Sequence, residues 1–361
     1  MSLISAFVWR SPIRTTSKWP LSACLRGSSA FSRTGTLSLS SHSTTRCAAR
    51  SVTTNCTVAH RSFSTHERPG ETEKARSERE KHSRVTQDQI SFFLDRGYLV
   101  LDEFWDATEL TAIRKQLEHL QSAGRLANVA TAGDGKTHTE VPKNLQLCPL
   151  SPEADLFRSL PFSPKVAATL ADLLLPDAEN SNALLCYLSQ VFWKPAHHGI
   201  GTSWHQDNAY FKVKDCQHAT AMWTAVHDAT KENGALEVIP AAWKQGGLPH
   251  HRDGNSDHHI TCRDSVDETI AVSLEVQAGG VIFFNYLTPH CTRGNATDQP
   301  RAGIAYHFLP AASYRERQFP LPDDAEYVAP LIWDSAGIGR GKKEYGCIQD
   351  FDRDVHHVLT Q

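Results

Sequence analysis

In the stretch Trp204-His-Gln-Asp-Asn-Ala-Tyr-Phe211, a single residue separates His205 from Asp207. The surrounding sequence reads as a strand or strand end, where a period of two sends both side chains from the same face. An imidazole and a carboxylate so placed can be two of the three ligands of a 2-His-1-carboxylate triad, which holds Fe(II) and leaves coordination positions open. The third ligand is then a distant histidine. His290 fits, in Leu-Thr-Pro-His-Cys-Thr-Arg-Gly, just after the apolar run Gly280-Val-Ile-Phe-Phe284. Alone, a His-x-Asp pair is more often a satisfied pair in a core. Its weight comes from three parts arriving in order: His-x-Asp, a late His at a strand end, and Arg301 eleven residues beyond that His on the next strand.

With one face of an octahedral iron taken by His205, Asp207 and His290, the other face suits a bidentate 2-oxo acid and O2. The far carboxylate of such an acid needs its own partner. A guanidinium serves because its planar fork matches a carboxylate bidentately, and Arg301 is placed to supply it. The competing reading of Arg301 is a surface salt bridge, which would contribute little.

The elements that must position these groups begin at Thr86, whose spacing to Gln89 makes a capping box ahead of Ile90, Phe93 and Leu94; that helix stops at Gly97. A short strand, Tyr98 to Leu101, follows. Asp106 and Glu109 then cap a helix on which Leu110, Ile113, Leu117 and Leu120 form one apolar face. Pro164 to Leu174 reads as a further helix with Pro in its first turn. Beyond it come short apolar or alternating runs bounded by Gly, Pro and Asn: Leu184 to Trp193, Thr220 to Thr230, Ala235 to Ile239, Thr269 to Val276, Val281 to Phe284 and Gly303 to Leu309. Helices followed by many short strands predict an α+β domain with a double-stranded β-helix (jelly-roll, cupin-like) core and flanking N-terminal helices. Between Pro240 and Asp267 a long polar loop carries His250, His251, His258 and His259. Adjacent histidines point in different directions, so no second metal site is assigned to them.

The chain divides by composition. Residues 1–65 contain no Asp or Glu but eight Lys or Arg in a Ser/Thr-rich background, the composition of a mitochondrial transit peptide. Arg61-Ser-Phe-Ser64 resembles a matrix-processing site, which places a mature start near Ser64 and the protein in the matrix, with cytoplasmic or peroxisomal residence as alternatives. The apolar run Leu3 to Trp9 is too short to cross a bilayer, so no membrane span is expected. Residues 66–85, almost wholly charged or polar, read as a solvated linker, and 86–361 as the catalytic domain. The whole chain carries −3, so removing eight cations leaves −11, a balance that argues against nucleic acid as a partner. Three of the nine cysteines, Cys24, Cys47 and Cys56, fall in the presequence, and the other six include no Cys-x-x-Cys pair. Neither zinc nor a disulfide framework is suggested, and reduced thiols fit the matrix or cytosol.

These motifs together resemble the phytanoyl-CoA dioxygenase family of iron- and 2-oxoglutarate-dependent oxygenases, over roughly residues 87 to 310. The likeness rests on Trp204 to Phe211, Asn233-Gly-Ala-Leu-Glu-Val-Ile-Pro240, Gly280 to Phe284, and His290 followed by Arg301. It implies hydroxylation of a small organic or acyl substrate, coupled to conversion of 2-oxoglutarate and O2 into succinate and CO2 at Fe(II). It further implies that Gln190 and Trp223 flank the co-substrate and that Lys143 lies near it. For Trp223 plain core packing is an equal reading. Asp207 stands where halogenating relatives have a small residue, which favours hydroxylation. The chain ends His-Val-Leu-Thr-Gln rather than in a peroxisomal Ser-Lys-Leu, which argues against phytanoyl-CoA itself. Two alternatives stay open: a cupin-type metalloenzyme that uses no 2-oxo acid, and a non-catalytic jelly-roll binding protein.

Overall fold

The computed structural model describes residues 68, 70–132, 137–175, 183–213, 216–252, 260–315, 330–338 and 350–361. The transit-peptide reading of 1–65, and His258 and His259, lie outside the described residues. The first described helix, α1 (Glu73–His82), falls where a solvated linker was expected. That expectation is corrected by its one buried cation. Arg79, 7% exposed, bonds both Glu71 oxygens at 2.9 Å and Asp172 at 3.0 Å, and Arg68 meets the same Asp172 at 2.6 Å. A segment with little to bury is thus held to the helix carrying Asp172 by ion pairs that a composition argument does not register.

Next come α2 (Gln87–Arg96), β1 (Tyr98–Leu101) and α3 (Ala107–Ser122). Both expected capping boxes form, Thr86 with Gln89 and Asp106 with Glu109, and Gly97 ends α2 with a φ of 80° that a side chain would resist. After the short β2 (Ala127–Asn128), β3 (Leu145–Leu147) and α4 (Asp155–Ser159), helix α5 (Pro164–Leu174) is buried along nearly its whole length.

The strands follow: β4 (Leu184–Lys194), β5 (Thr202–His205), then a single helical turn α6 (Asn208–Phe211), β6 (Thr220–Ala225), β7 (Leu236–Val238), β8 (Val272–Leu274), β9 (Val281–Asn285), β10 (His290–Thr292) and β11 (Arg301–Pro310). The chain continues through α7 (Ala311–Arg315), β12 (Leu331–Asp334), β13 (Gly337–Ile338) and α8 (Phe351–Thr360). The large sheet runs β1-β9-β6-β11-β4-β12-β13, with β2 and β3 appended beside β4, and the small one runs β5-β10-β7-β8. These curled antiparallel sheets form the jelly-roll core.

Strand β11 is buried on both faces, and its period of two sorts the interior. Ala302, Ile304, Tyr306 and Phe308 join the core shared with α2, α3, α5 and α8, whereas Ala305 packs with Trp223, Phe192, Leu236 and Val238 between the two sheets. Arg301, Gly303 and His307 have the same parity as Ala305. Helix α8, against α3, escaped the sequence reading because it lies beyond the last recognised strand. Among the described residues no helix is long and apolar enough to cross a membrane.

Candidate active site

Strand β10 pairs antiparallel with β5 so that His290 stands directly opposite His205. Cross-strand neighbours approach closely, and here the ring centroids are 4.2 Å apart. Asp207 arrives differently from the period-two expectation. The strand ends at His205, and Asp207 takes helical dihedrals (φ −56°, ψ −36°) as the N-cap residue just before α6. The turn nevertheless brings its carboxylate back. One ligand atom from each of His205, Asp207 and His290 lies within 4.8 Å of the others, and all three residues are buried. Asp207 Oδ1 is 3.7 Å from His290 Nε2.

Both imidazoles are oriented by the backbone. His205 Nδ1 lies 2.7 Å from the Ser203 carbonyl and His290 Nδ1 2.9 Å from that of Thr288. Each Nδ1 therefore carries the proton and donates it, which leaves Nε2 as the lone pair a metal requires. Burial lowers His205 to about 4, against the opposing pull of the Ser203 bond, so its Nε2 is unprotonated at neutral pH. Burial also raises Asp207 to about 7. Two aligned imidazoles and a carboxylate shut away from water fit a hard or borderline divalent cation.

Gln206, between His205 and Asp207, points the other way and is 1% exposed. Its side chain donates to the Gly246 and Leu287 carbonyls and accepts from Leu248 N–H, while its backbone N–H donates to His250 Nε2 at 3.0 Å. His250 is thereby a neutral acceptor that pins the long loop, not a ligand.

At the start of β11, Arg301 is 1% exposed and no carboxylate pairs with it among the described residues. Its guanidinium crosses from the large sheet to donate to the Gly234 carbonyl, just ahead of β7, and its Cζ lies 5.5 Å from the Trp223 ring centre. Nε makes no hydrogen bond. Burial pulls the group down to about 9. Trp223 reaches this position because residue 303 is glycine: a Cβ there would fall 2.1 Å from the indole Cζ2. Opposite Arg301 in the ladder, buried Lys194 donates to the Arg293 carbonyl at 2.7 Å, and among the described residues no carboxylate pairs with it either. Its pKa is held well below the usual lysine range by burial first and Arg301 second. A buried guanidinium that no described carboxylate neutralises, beside a lysine amine that an incoming anion would help to protonate, suits an anionic ligand.

The remaining expected residues divide. Trp223 belongs with Arg301, and its packing in the inter-sheet core is real as well. Gln190 shares a register row with Ala305 and Trp223, but its amide nitrogen contacts His307 Nε2, at 3.2 Å. Lys143 lies in the loop before β3, its carbonyl accepting from Ile200 N–H, and no side-chain contact joins it to Arg301 or to the triad. Sequence reasoning missed His307, 2% exposed, whose Nδ1 stands 3.8 Å from Asp207 Oδ2. The available signal was parity: 301, 303, 305 and 307 line one face of a strand.

A family model described as Phytanoyl-CoA dioxygenase (PhyH) matches residues 93–303, more than half of the chain. A phytanoyl-CoA dioxygenase of Arabidopsis thaliana is 26% identical over 264 residues, covering 62% of this chain and 89% of that protein. Among solved structures, EvdO2 from Micromonospora carbonacea var. aurantiaca is 26% identical with a TM-score of 0.50, over 63% of this chain and 91% of its own. The non-heme alpha ketoglutarate dependent carbocyclase SnoK from nogalamycin biosynthesis, 17% identical, aligns with a TM-score of 0.53 over 73% of this chain and 90% of its own, a likeness of fold.

Proposed function

Because the chain belongs to the phytanoyl-CoA dioxygenase family, we propose that His205, Asp207 and His290 hold Fe(II) and that Arg301 binds the far carboxylate of 2-oxoglutarate. The protein is an Fe(II)- and 2-oxoglutarate-dependent dioxygenase. The bound iron supplies the oxidation, in which hydroxylation of a substrate is coupled to conversion of 2-oxoglutarate and O2 into succinate and CO2. The chain's own groups bind, orient and exclude water. Ser203 and Thr288 carbonyls fix the imidazoles, Asp207 brings the negative charge, and Trp223 walls the guanidinium. The observation that carries this reading is Arg301, buried with no carboxylate paired to it among the described residues. A cupin-type enzyme using no 2-oxo acid would need the three ligands but has no use for that charge.

The substrate we infer is a small organic or acyl molecule. Oxygen uptake by the iron-loaded protein with 2-oxoglutarate, screened over a panel of such compounds, tests the class; stimulation by none of them contradicts it.

A pH dependence follows from Asp207. Its carboxyl, raised to about 7 by burial, must lose its proton to ligate, whereas His205 at about 4 offers no competing proton near neutrality. Below pH 7 the proton competes with the metal, so Fe(II) affinity should fall about tenfold per pH unit between roughly pH 7 and 5. Anaerobic titrations across that range check it; a flat profile contradicts the assignment of Asp207.

We also propose residence in the mitochondrial matrix, supported by the acid-free, Arg-bearing residues 1–65 and by Arg61-Ser-Phe-Ser64. N-terminal sequencing of the protein from isolated mitochondria should find a start near Ser64. Recovery of a Met1 form from the cytosol alone contradicts it.

A further inference from the structure

Beside the triad, Asp207 Oδ2, His307 Nδ1 and the Tyr286 hydroxyl are buried and make no hydrogen bond. Two of these face each other. His307 Nδ1 lies 3.8 Å from Asp207 Oδ2, while the other oxygen of that carboxylate, Oδ1, is the one turned toward His290. The far edge of the His307 ring is held by the Gln190 amide nitrogen, 3.2 Å from Nε2. Phe211 and Tyr286 fix its plane by edge contacts at 5.0 and 5.7 Å between centroids. An amide NH2 only donates, so Gln190 requires a lone pair on Nε2, and the single proton of the neutral ring then sits on Nδ1. That is the nitrogen aimed at Asp207. A donor lacking an acceptor and an acceptor lacking a donor stand opposite one another in a pocket that excludes water, where each unmet group is unfavourable.

We propose that His307 is a positioning residue for the metal-binding carboxylate: its Nδ1–H, set by Gln190, takes Asp207 Oδ2 and leaves Oδ1 to the metal. This rests on the reading of His205, Asp207 and His290 as ligands. A carboxylate that turns freely can offer either oxygen or both, and a donor fixed on one of them removes the choice. His307 shares an inner face of β11 with Arg301, so one strand carries both the co-substrate's anchor and the group that aims the carboxylate.

The test exploits the two ends of the ring. His307→Asn places an amide nitrogen close to where Nδ1 was, and His307→Gln places it near Nε2. Affinities for Mn(II), and for Fe(II) without oxygen, are measured on the full chain in the absence of 2-oxoglutarate and substrate, with thermal unfolding of the metal-free forms alongside. His307→Gln should weaken metal binding by roughly 10–100-fold, His307→Asn should retain most of the wild-type affinity, and Gln190→Leu should shift it in the direction of the loss. Equal affinities for the Asn and Gln variants, or tighter binding by Gln, overturn the proposal. If neither His307 variant folds, Gln190→Leu decides: an unchanged metal affinity overturns it. Asp207→Ala with undiminished affinity would instead remove the ligand assignment beneath it.

Discussion

Arg301→Ala should raise the KM for 2-oxoglutarate steeply while leaving iron bound. Truncating one side of a buried, hydrogen-bonded charge pair costs ~2–5 kcal/mol. At 1.4 kcal/mol per tenfold this corresponds to roughly 30-fold to several thousand-fold weaker binding. The upper part of that range suits Arg301, which is 1% exposed and so little screened by solvent. Arg301→Lys should recover only part of the loss, because an ammonium keeps the charge without the planar fork. Steady-state kinetics in 2-oxoglutarate, with iron content measured on the same samples, decide the matter. An unchanged KM in Arg301→Ala would falsify the anchor, and the half-exposed Arg293, bonded to Glu237 at 2.9 Å, would be the next candidate.

The second large effect is on the metal. His205→Ala, Asp207→Ala and His290→Ala should each lose iron beyond the ~10–100-fold that follows from changing a residue that merely supports a ligand. Thermal unfolding gives an independent readout. A metal that binds the native state alone stabilises it by about 2.7 kcal/mol at a hundred times its Kd. The wild type should show that gain and the three variants none. A variant that keeps full turnover with iron bound contradicts its own assignment.

Much of this site was legible in the sequence, and the reasons are local. The capping boxes at Thr86 and Asp106 and the apolar face of α3 follow from spacing alone. The three residues proposed as ligands stood out by residue type and order, although the geometry behind Asp207 is a helical turn, not a continued strand. That His290 stands opposite His205 depends on the register of two short strands with an irregularity between His290 and Thr292, which no single strand encodes. Helix α1 was obscured because it is held by Arg79, Glu71 and Asp172, and the partner that matters is 93 residues away. Lys194 and His307 belong to no motif. They count because two strands bring them beside Arg301 and Asp207, a property of the ladder and of burial.

The central claim is that iron and 2-oxoglutarate act together at this triad. The most direct test is succinate formation from 2-oxoglutarate by the Fe(II)-loaded protein, followed together with oxygen consumption, against the metal-free protein and Asp207→Ala. The account predicts succinate from the iron-loaded wild type, matched by oxygen uptake, and none from either control. Oxygen uptake with no loss of 2-oxoglutarate would point to a cupin-type enzyme, and 2-oxoglutarate bound but never converted, with any of the compounds screened, would point to a binding protein; either result contradicts it.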